Sequence, residues 1–244
     1  MGGAHGVAVS CRELSEAIRA AQRAGRVPVI ADIKPVSPRD GNLLGGRSPG
    51  ELAAALEEAG ACALSVVTAA EHFGGSCQTL REVTAATSLP VLRKDFLRDS
   101  EQLVESRDCG ARAILMILST MSQEVAAQLY DTAQELGLEP LVESHTAEEL
   151  ERALSLTPSL VGINNRDILQ LETDPGTVAT TESLAPRVPD GIVTISESAL
   201  LTDDDVRRAL AAGADAVLVG TMLLRAPDPA ERLRELVKLK RVAL

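Results

Sequence analysis

No segment of this 244-residue chain approaches the roughly 18 consecutive apolar residues of a membrane span. The N-terminal stretch "MGGAHGVAVSCREL" has neither a basic leader region nor an apolar run long enough for a signal peptide, so a cytoplasmic location is expected. Basic excess is missing as well. With 24 Lys and Arg against 35 Asp and Glu, the formal net charge is −11, which argues against nucleic acid or an anionic membrane as a partner. An anionic small molecule must therefore find a locally positive pocket. There is no C-x-x-C: Cys11, Cys62, Cys77 and Cys109 lie far apart, and neither a disulfide framework nor a zinc site is expected. The three histidines, His5, His72 and His145, are not paired at ligand spacing, so no zinc or non-haem iron site is expected. No strand-like run leads into G-x-G-x-x-G or a P-loop, which removes the usual nucleotide fingerprints of an open α/β sheet.

What the chain does contain is repetition. Eight short runs rich in Val, Ile and Leu recur along it: "VPVIADI", "ALSVVT", "PVLRKDF", "ARAILMIL", "EPLVES", "LVGINNR", "GIVTISES" and "AVLVGT". Between them lie helical patterns such as "SPGELAAALEEAG", "SCQTLREVTAAT", "SQEVAAQLYDTAQELG" and "TAEELERALSL", several opened by Ser or Thr and closed by Gly. Thr202 and Asp205 in "TDDDVRRALAAG" have the spacing of a capping box, and Thr146 offers another helix start. Strict alternation of strand and helix predicts parallel strands joined by crossover helices. Eight such units in one chain predict a (β/α)8 TIM barrel, with a doubly wound sheet as the alternative. No Pro/Gly/Ser-rich linker divides the sequence, so residues 1–244 are expected to form a single domain. An additional helix over about residues 10–25, with Leu14, Ile18 and Ala21 at helical spacing, is expected to pack across one barrel mouth.

Polar residues collect where the apolar runs stop. The first run ends in Asp32 and Lys34, the third in Lys94 and Asp95, and the fifth in Glu143. The sixth ends in Asn164, Asn165 and Arg166, and the seventh in Ser196, Glu197 and Ser198. One charged strand end is ordinarily solvated or salt-bridged. Five strands with the same placement point to one pocket, because the C-terminal strand ends line the open mouth of such a barrel. Two residues apart, Asp32 and Lys34 fall on the same side of their strand. Lysines beside carboxylates in a partly dry pocket supply proton donors and acceptors, which suits acid–base chemistry without a metal. The loops after the last two strands are the expected phosphate site, with Ser198, Ala199, Gly220 and Thr221 supplying backbone N–H groups and a helix N-terminus.

The ordered set "IADIKPVSP", "LSVVTAAEHFGGS", "LPVLRKDF", "LGLEPLVESH", "VGINNRD" and "VLVGTMLLRAPDP" resembles the indole-3-glycerol phosphate synthase family over nearly the whole chain from about residue 27. The resemblance implies conversion of 1-(o-carboxyphenylamino)-1-deoxyribulose 5-phosphate into indole-3-glycerol phosphate, with loss of carbon dioxide and water and with no cofactor. It implies that Lys94 is the general acid, that Lys34 and Glu143 handle the proton transfers of the dehydration, and that Asp32 is an acidic binding and catalytic residue. Asn164, Arg166, Glu197 and Ser198 would complete the polar wall. Phe73 and Phe96, the only phenylalanines in a chain that is 1% aromatic, fall where the family holds the anthranilate ring, with Ser37 and Pro38 nearby. A small phosphorylated substrate is the expected partner, and a monomer the expected state.

The sequence departs from the family pattern around the substrate. Asp32 stands where Glu is usual, a carboxylate shorter by one methylene, and a misplacement near 1 Å can cost on the order of 100-fold in rate. Ser198-Ala199 replaces the usual Ser-Gly, Ala69 and Ala70 replace a polar pair, and "PRDGNLLGGRSPGEL" differs from the usual first loop. A short N-terminal extension leaves the mouth more open. These changes keep a paralogue acting on a ring-substituted substrate in play. Other classes are a barrel sugar-phosphate isomerase, a lysine Schiff-base aldolase using Lys94 or Lys34, and a non-catalytic phosphate-ligand binder. The absence of a cysteine at any strand C-terminal end counts against the isomerase.

Overall fold

The structure, a computed structural model, describes residues 12–170 and 173–239. Eight parallel strands close into a barrel. They are β1 (Val29–Ile33), β2 (Ala63–Val67), β3 (Val91–Lys94), β4 (Ala113–Ile117), β5 (Glu139–Ser144), β6 (Leu160–Asn164), β7 (Val193–Glu197) and β8 (Ala216–Val219). Each pairs with its chain neighbour, and β1 closes the ring by pairing Val29, Ile30 and Ala31 with Val217, Leu218 and Val219 of β8. The expected (β/α)8 TIM barrel is therefore the observed fold, and the doubly wound alternative is excluded.

The outer layer is built from helices α2 (Pro49–Glu58), α3 (Cys77–Ala86), α4 (Ser100–Asp108), α5 (Gln123–Glu135), α6 (Ala147–Ser155), α7 (Ala179–Leu184), α8 (Asp203–Ala211), the single turn α9 (Thr221–Leu224) and α10 (Pro229–Val237). Their starts follow the chemistry of the orphan N–H groups. Ser48, Ser76, Asp99, Ser122, Thr146, Thr202 and Asp228 each accept a first-turn backbone hydrogen bond through their side chains. Thr202 and Asp205 form the reciprocal capping box that their spacing predicts.

Every strand is buried on both faces, and a period of two sorts its residues. Ile30, Leu92, Leu115, Leu141, Leu160, Ile195 and Leu218 belong to the inner cluster, while Val29, Val66, Val91, Ile114, Val142 and Val217 pack in the larger cluster that includes the helices. Helix α1 (Glu13–Arg23) joins the inner cluster through Leu14, Ile18 and Ala21, beside residues from the N-terminal halves of the strands. Glu139, the first residue of β5, accepts hydrogen bonds from the N–H groups of Leu14 and Ser15 at 2.9 and 3.1 Å and from Ser159 Oγ at 2.8 Å. This buried carboxylate at the start of α1 complements the helix dipole and pins the helix across the barrel floor. The mouth covered by α1 is thus opposite the one that collects the polar strand ends. Cys11 and His5 lie outside the described residues.

Candidate active site

The inner residues change from aliphatic to charged as each strand approaches the second mouth. On β1 the inward sequence is Ile30, Asp32 and then Lys34; on β3 it is Leu92 and then Lys94; on β5, Leu141 and then Glu143. On β6 it is Leu160, Gly162 and Asn164, and on β7, Ile195 and Glu197. Asp32, Lys34, Lys94, Glu143, Asn164 and Glu197 are all buried. Above them opens a cavity lined in part by Asp32, Lys34, Phe73, Lys94, Phe96, Arg166, Ser198, Ala199, Gly220 and Thr221. All ten are among the fifteen positions expected from the sequence to serve catalysis, substrate or phosphate; of the others, Glu143, Asn164 and Glu197 are buried and do not line the cavity. Apolar Val67, Leu115, Ile117, Ile168 and Leu201 fill much of the remaining wall. The chain is strongly acidic overall, yet Lys34, Lys94 and Arg166 give this cavity three cationic side chains.

Lys94 is the hub of the floor. Its Nζ donates to Glu197 Oε2 at 3.1 Å and lies 3.5 Å from Glu143 Oε2, and both carboxylates are fully buried. Asn164 Nδ2 donates to the same Glu143 oxygen at 3.1 Å, while Asn164 Oδ1 accepts the Arg166 backbone N–H at 3.0 Å. The floor thus consists of hydrogen-bonded, water-excluded charges whose orientations are fixed before any ligand arrives. Gly162 is part of this design: a Cβ at that position would collide with Oε1 of Glu197.

Asp32 is oriented by a residue that the sequence reading missed. Ser65 Oγ donates to Asp32 Oδ1 at 2.7 Å, and the strand register places Asp32 directly opposite Ser65. Inward placement of Ser65 in "ALSVVT" was available from strand alternation; its pairing with Asp32 needed the register.

The aromatic wall is compact. Phe73 and Phe96 have ring centroids 6.4 Å apart at 42°, a tilted contact, and Lys34 Nζ sits 6.0 Å from the Phe73 centroid, within cation–π range. Phe96 follows the turn of Lys94 and Asp95, and that turn is braced from outside the barrel. Arg93, pointing outward, donates to Thr68 at 2.9 Å, Glu105 at 2.9 Å, Ser106 at 3.1 Å and Asp95 at 3.2 Å, while Asp95 Oδ1 accepts the Phe96 N–H at 2.8 Å. Burial works against the charge of the Arg93 guanidinium, but the charge of Cys77, the Glu105 hydrogen bond and the carboxylates of Asp95 and Glu105 hold its pKa above the ordinary arginine value.

At the opposite wall, Ser198 and Ala199 follow β7 with φ of 63° and 53°, two consecutive residues in the left-handed region. Ser198 and Ala199 line the cavity together with Gly220 and Thr221, and backbone turns of this kind can present N–H groups to an anion.

Three expected positions fall elsewhere. Ser37 and Pro38 do not line the cavity: Val36–Ser37 pairs with Gly41–Asn42 in a small antiparallel hairpin, which turns Pro38 out to solvent and ties Ser37 Oγ to Asp40. Asn165, although adjacent to two site residues, points away from the barrel axis. Its amide donates to Ser196 Oγ and to the carbonyls of Glu197 and Ser198, and its oxygen accepts from Thr181. Asn165 and Ser196 therefore splint the ends of β6 and β7 from outside.

The second group that the sequence reading missed lies behind Glu143. His145 Nε2 stands 3.5 Å from Glu143 Oε1, and its Nδ1 is 3.0 Å from Glu149 Oε2. The Glu149 oxygen also accepts the His145 backbone N–H at 2.7 Å. Burial opposes charge on this ring, but the Glu149 hydrogen bond and the charges of Glu143, Glu149 and Glu197 outweigh it and hold the imidazole above its ordinary value of 6.5. The signal was the four-residue spacing of His and Glu in "SHTAEEL", the reach of one helical turn.

Among the described residues no group of His, Cys, Asp and Glu is arranged to hold a metal ion. No helix among them is long and apolar enough to cross a membrane.

A family model described as indole-3-glycerol phosphate synthase matches residues 3–236. A protein of that name from Thermococcus kodakarensis is 44% identical over 227 residues, covering 93% of this chain and 98% of the relative. A second, from Pyrococcus furiosus, is 44% identical over 220 residues, covering 90% and 96%. A third, from Halalkalibacterium halodurans, is 43% identical over 224 residues, covering 91% and 85%. The chain belongs to the indole-3-glycerol phosphate synthase family.

Proposed function

We propose that this chain converts 1-(o-carboxyphenylamino)-1-deoxyribulose 5-phosphate into indole-3-glycerol phosphate, releasing carbon dioxide and water. The observation that carries the reading is Lys94. Its ammonium is clasped by Glu197 at 3.1 Å and Glu143 at 3.5 Å, opens into the cavity, and lies on the turn that leads to Phe96. An amine fixed in this way offers a proton to a carbonyl oxygen in a largely apolar enclosure, where preorganised donors act most strongly.

The aryl ring sits against Phe73 and Phe96, and the phosphate sits at Ser198, Ala199, Gly220 and Thr221. Arg166 and Lys34 complement the remaining negative charge of the substrate. With both ends held, the ring carbon that bears the carboxylate approaches the ribulose carbonyl, a positioning effect worth orders of magnitude in rate. Lys94 gives its proton to the carbonyl oxygen as the new carbon–carbon bond forms. The carboxylate then leaves as carbon dioxide, and its bonding pair restores the aromatic ring. In the dehydration Lys34 supplies the proton for the departing hydroxyl. Glu143, with Lys94 between it and the cavity, takes up the proton that the substrate loses. Asp32, fixed by Ser65, faces this chemistry from β1, and Asn164 keeps Glu143 directed at Lys94. A catalytic monomer acting as a single domain is part of this proposal.

The test is to mix the purified protein with 1-(o-carboxyphenylamino)-1-deoxyribulose 5-phosphate and follow indole fluorescence, with Lys94→Ala as the control. Fluorescence that appears with the wild type and is lost in Lys94→Ala is the expected result. Substrate that binds without turnover rejects the reading and directs the search to ring-substituted analogues.

A further inference from the structure

We propose that His145 is a positioning residue for this reaction, an imidazolium clamped between Glu143 and Glu149 that orients the Glu143 carboxylate. The inference rests on the synthase reading for its kinetic part and on geometry alone for the clamp.

Glu143 and Glu197 are both fully buried, and Lys94 reaches both. A buried carboxylate is held in its ionised form by an adjacent positive charge. His145 stands where it can place one beside Glu143. Glu143 Oε2 is occupied by Lys94 and Asn164, whereas Oε1 has no hydrogen-bond partner among the described residues and faces His145 Nε2, itself unpartnered, at 3.5 Å. From the other side Glu149 fixes the ring. One oxygen accepts both the His145 backbone N–H at 2.7 Å and Nδ1 at 3.0 Å, which sets the ring plane and leaves Nε2 directed at Glu143. A second group orienting an imidazole so that its far nitrogen serves a reactive one is a recurring catalytic arrangement.

On α6, Arg152 is the nearest cation, but its guanidinium is spent on Gln123 and on the carbonyls of Leu118 and Met121. The short helical turn Leu118–Thr120 and the end of β4 present only Ser119, Thr120 and aliphatic side chains. From β6 comes Asn164, from β7 Glu197 and from β3 Lys94. The ring therefore faces three carboxylates, those of Glu143, Glu149 and Glu197, and their combined effect keeps it charged to higher pH than a free histidine.

Two variants and two readouts test the proposal. His145→Gln keeps a neutral donor near the Nε2 position but cannot carry charge; His145→Asn keeps one near Nδ1 only. In His145→Gln, kcat is expected to fall about tenfold below pH 6.5 with KM little changed, a fraction of what acid–base groups contribute. The ratio of wild type to variant should then close toward one as pH rises through the wild-type imidazole transition, because above it both proteins carry a neutral group. His145→Asn should lose at least as much. A ratio that stays constant with pH, or a kcat within twofold of wild type at every pH, overturns the proposal. The second readout needs no turnover: the His145 ring resonances, in a chain with three histidines, should titrate above 6.5 and move down in Glu143→Gln and Glu149→Gln. An unchanged titration in both variants overturns the clamp. If the wild type makes no indole product while the titration behaves as expected, it is the synthase reading that fails and the clamp that stands.

Discussion

Gly220 packs directly onto Asp32: a Cβ at position 220 would stand 2.9 Å from Asp32 Oδ2 and 3.2 Å from the Asp32 carbonyl oxygen. The carboxyl group could swing away, but the backbone carbonyl of a barrel strand cannot. Gly220→Ala is therefore expected to displace Asp32 from Ser65 Oγ, which now donates to it at 2.7 Å, while the barrel remains folded. A carboxylate moved by about 1 Å should cost on the order of 100-fold in kcat/KM. Steady-state kinetics beside a thermal melt would check this, and full activity in Gly220→Ala would show that Asp32 has no positional role.

Lys94 is as much a structural counter-ion as a proton donor. Lys94→Met leaves Glu143 and Glu197 facing each other without the ammonium between them. Breaking one side of a buried ion pair typically costs about 3–5 kcal/mol, so the variant should unfold at distinctly lower urea concentration as well as lose activity. Adding Glu197→Gln to Lys94→Met removes one of the two buried negative charges that faced the ammonium and should recover part of that loss. Equal midpoints for the single and double variants would contradict this account.

Fold and site differ in how far the residues announce them. The place of Asp32, Lys34, Lys94, Glu143, Asn164 and Glu197 at the ends of apolar runs was legible, and all six are buried at that end of the barrel. The helix starts were equally legible, because a Ser, Thr or Asp cap is a local hydrogen bond. What escaped were pairings set by register and loop geometry. Ser65 meets Asp32 only because β1 and β2 align as they do, and His145 meets Glu143 only because the chain bends after β5. Asn165 illustrates the converse error. It sits among site residues in the sequence, but one step along a strand turns a side chain to the other face. The hairpin at Val36–Ser37 likewise redirected Pro38, since four residues suffice to reverse the chain.

Ala199 adopts φ of 53°, a conformation that costs an L-residue with a Cβ about 1 kcal/mol and glycine nothing. Ala199→Gly is expected to stabilise the protein by several tenths of a kcal/mol, the relief being partly offset by the greater freedom of glycine in the unfolded chain. On the synthase reading it should also lower KM, because the methyl group borders the proposed phosphate site. A destabilised Ala199→Gly would mean that packing of the methyl outweighs the strain.

Burial pushes the Cys62 thiol up to about 12, and the same cause, with the Glu105 hydrogen bond, pushes Cys77 up to about 12. Cys109 is buried. At pH 8 these thiols should react with an aromatic disulfide reagent only after denaturation. Titration of the native protein is expected to leave Cys62, Cys77 and Cys109 unmodified, and titration in guanidinium to count all four cysteines of the sequence. Rapid modification of a peptide containing Cys77 in the native protein would contradict the assignment.

The His145–Glu149 pair sets a pH window for stability. Burial raises the proton affinity of Glu149, but the hydrogen bonds and charge of His145 outweigh it and hold this carboxyl below its ordinary 4.5. Its contribution is therefore present above 4.5 and is lost as pH falls through the lower folded value. His145 is held above 6.5, so its contribution is complete below 6.5 and is lost as pH rises through the higher folded value. Between 4.5 and 6.5 both contributions are present together. The difference in urea midpoint between wild type and His145→Gln should then be greatest near pH 5.5 and smaller at pH 3.5 and 8.5, the two flanks of that window. A difference that grows toward pH 8.5 would require the neutral ring to bind its carboxylate neighbours better than the charged one, which ordinary electrostatics forbids for an imidazole facing Glu143 and Glu149.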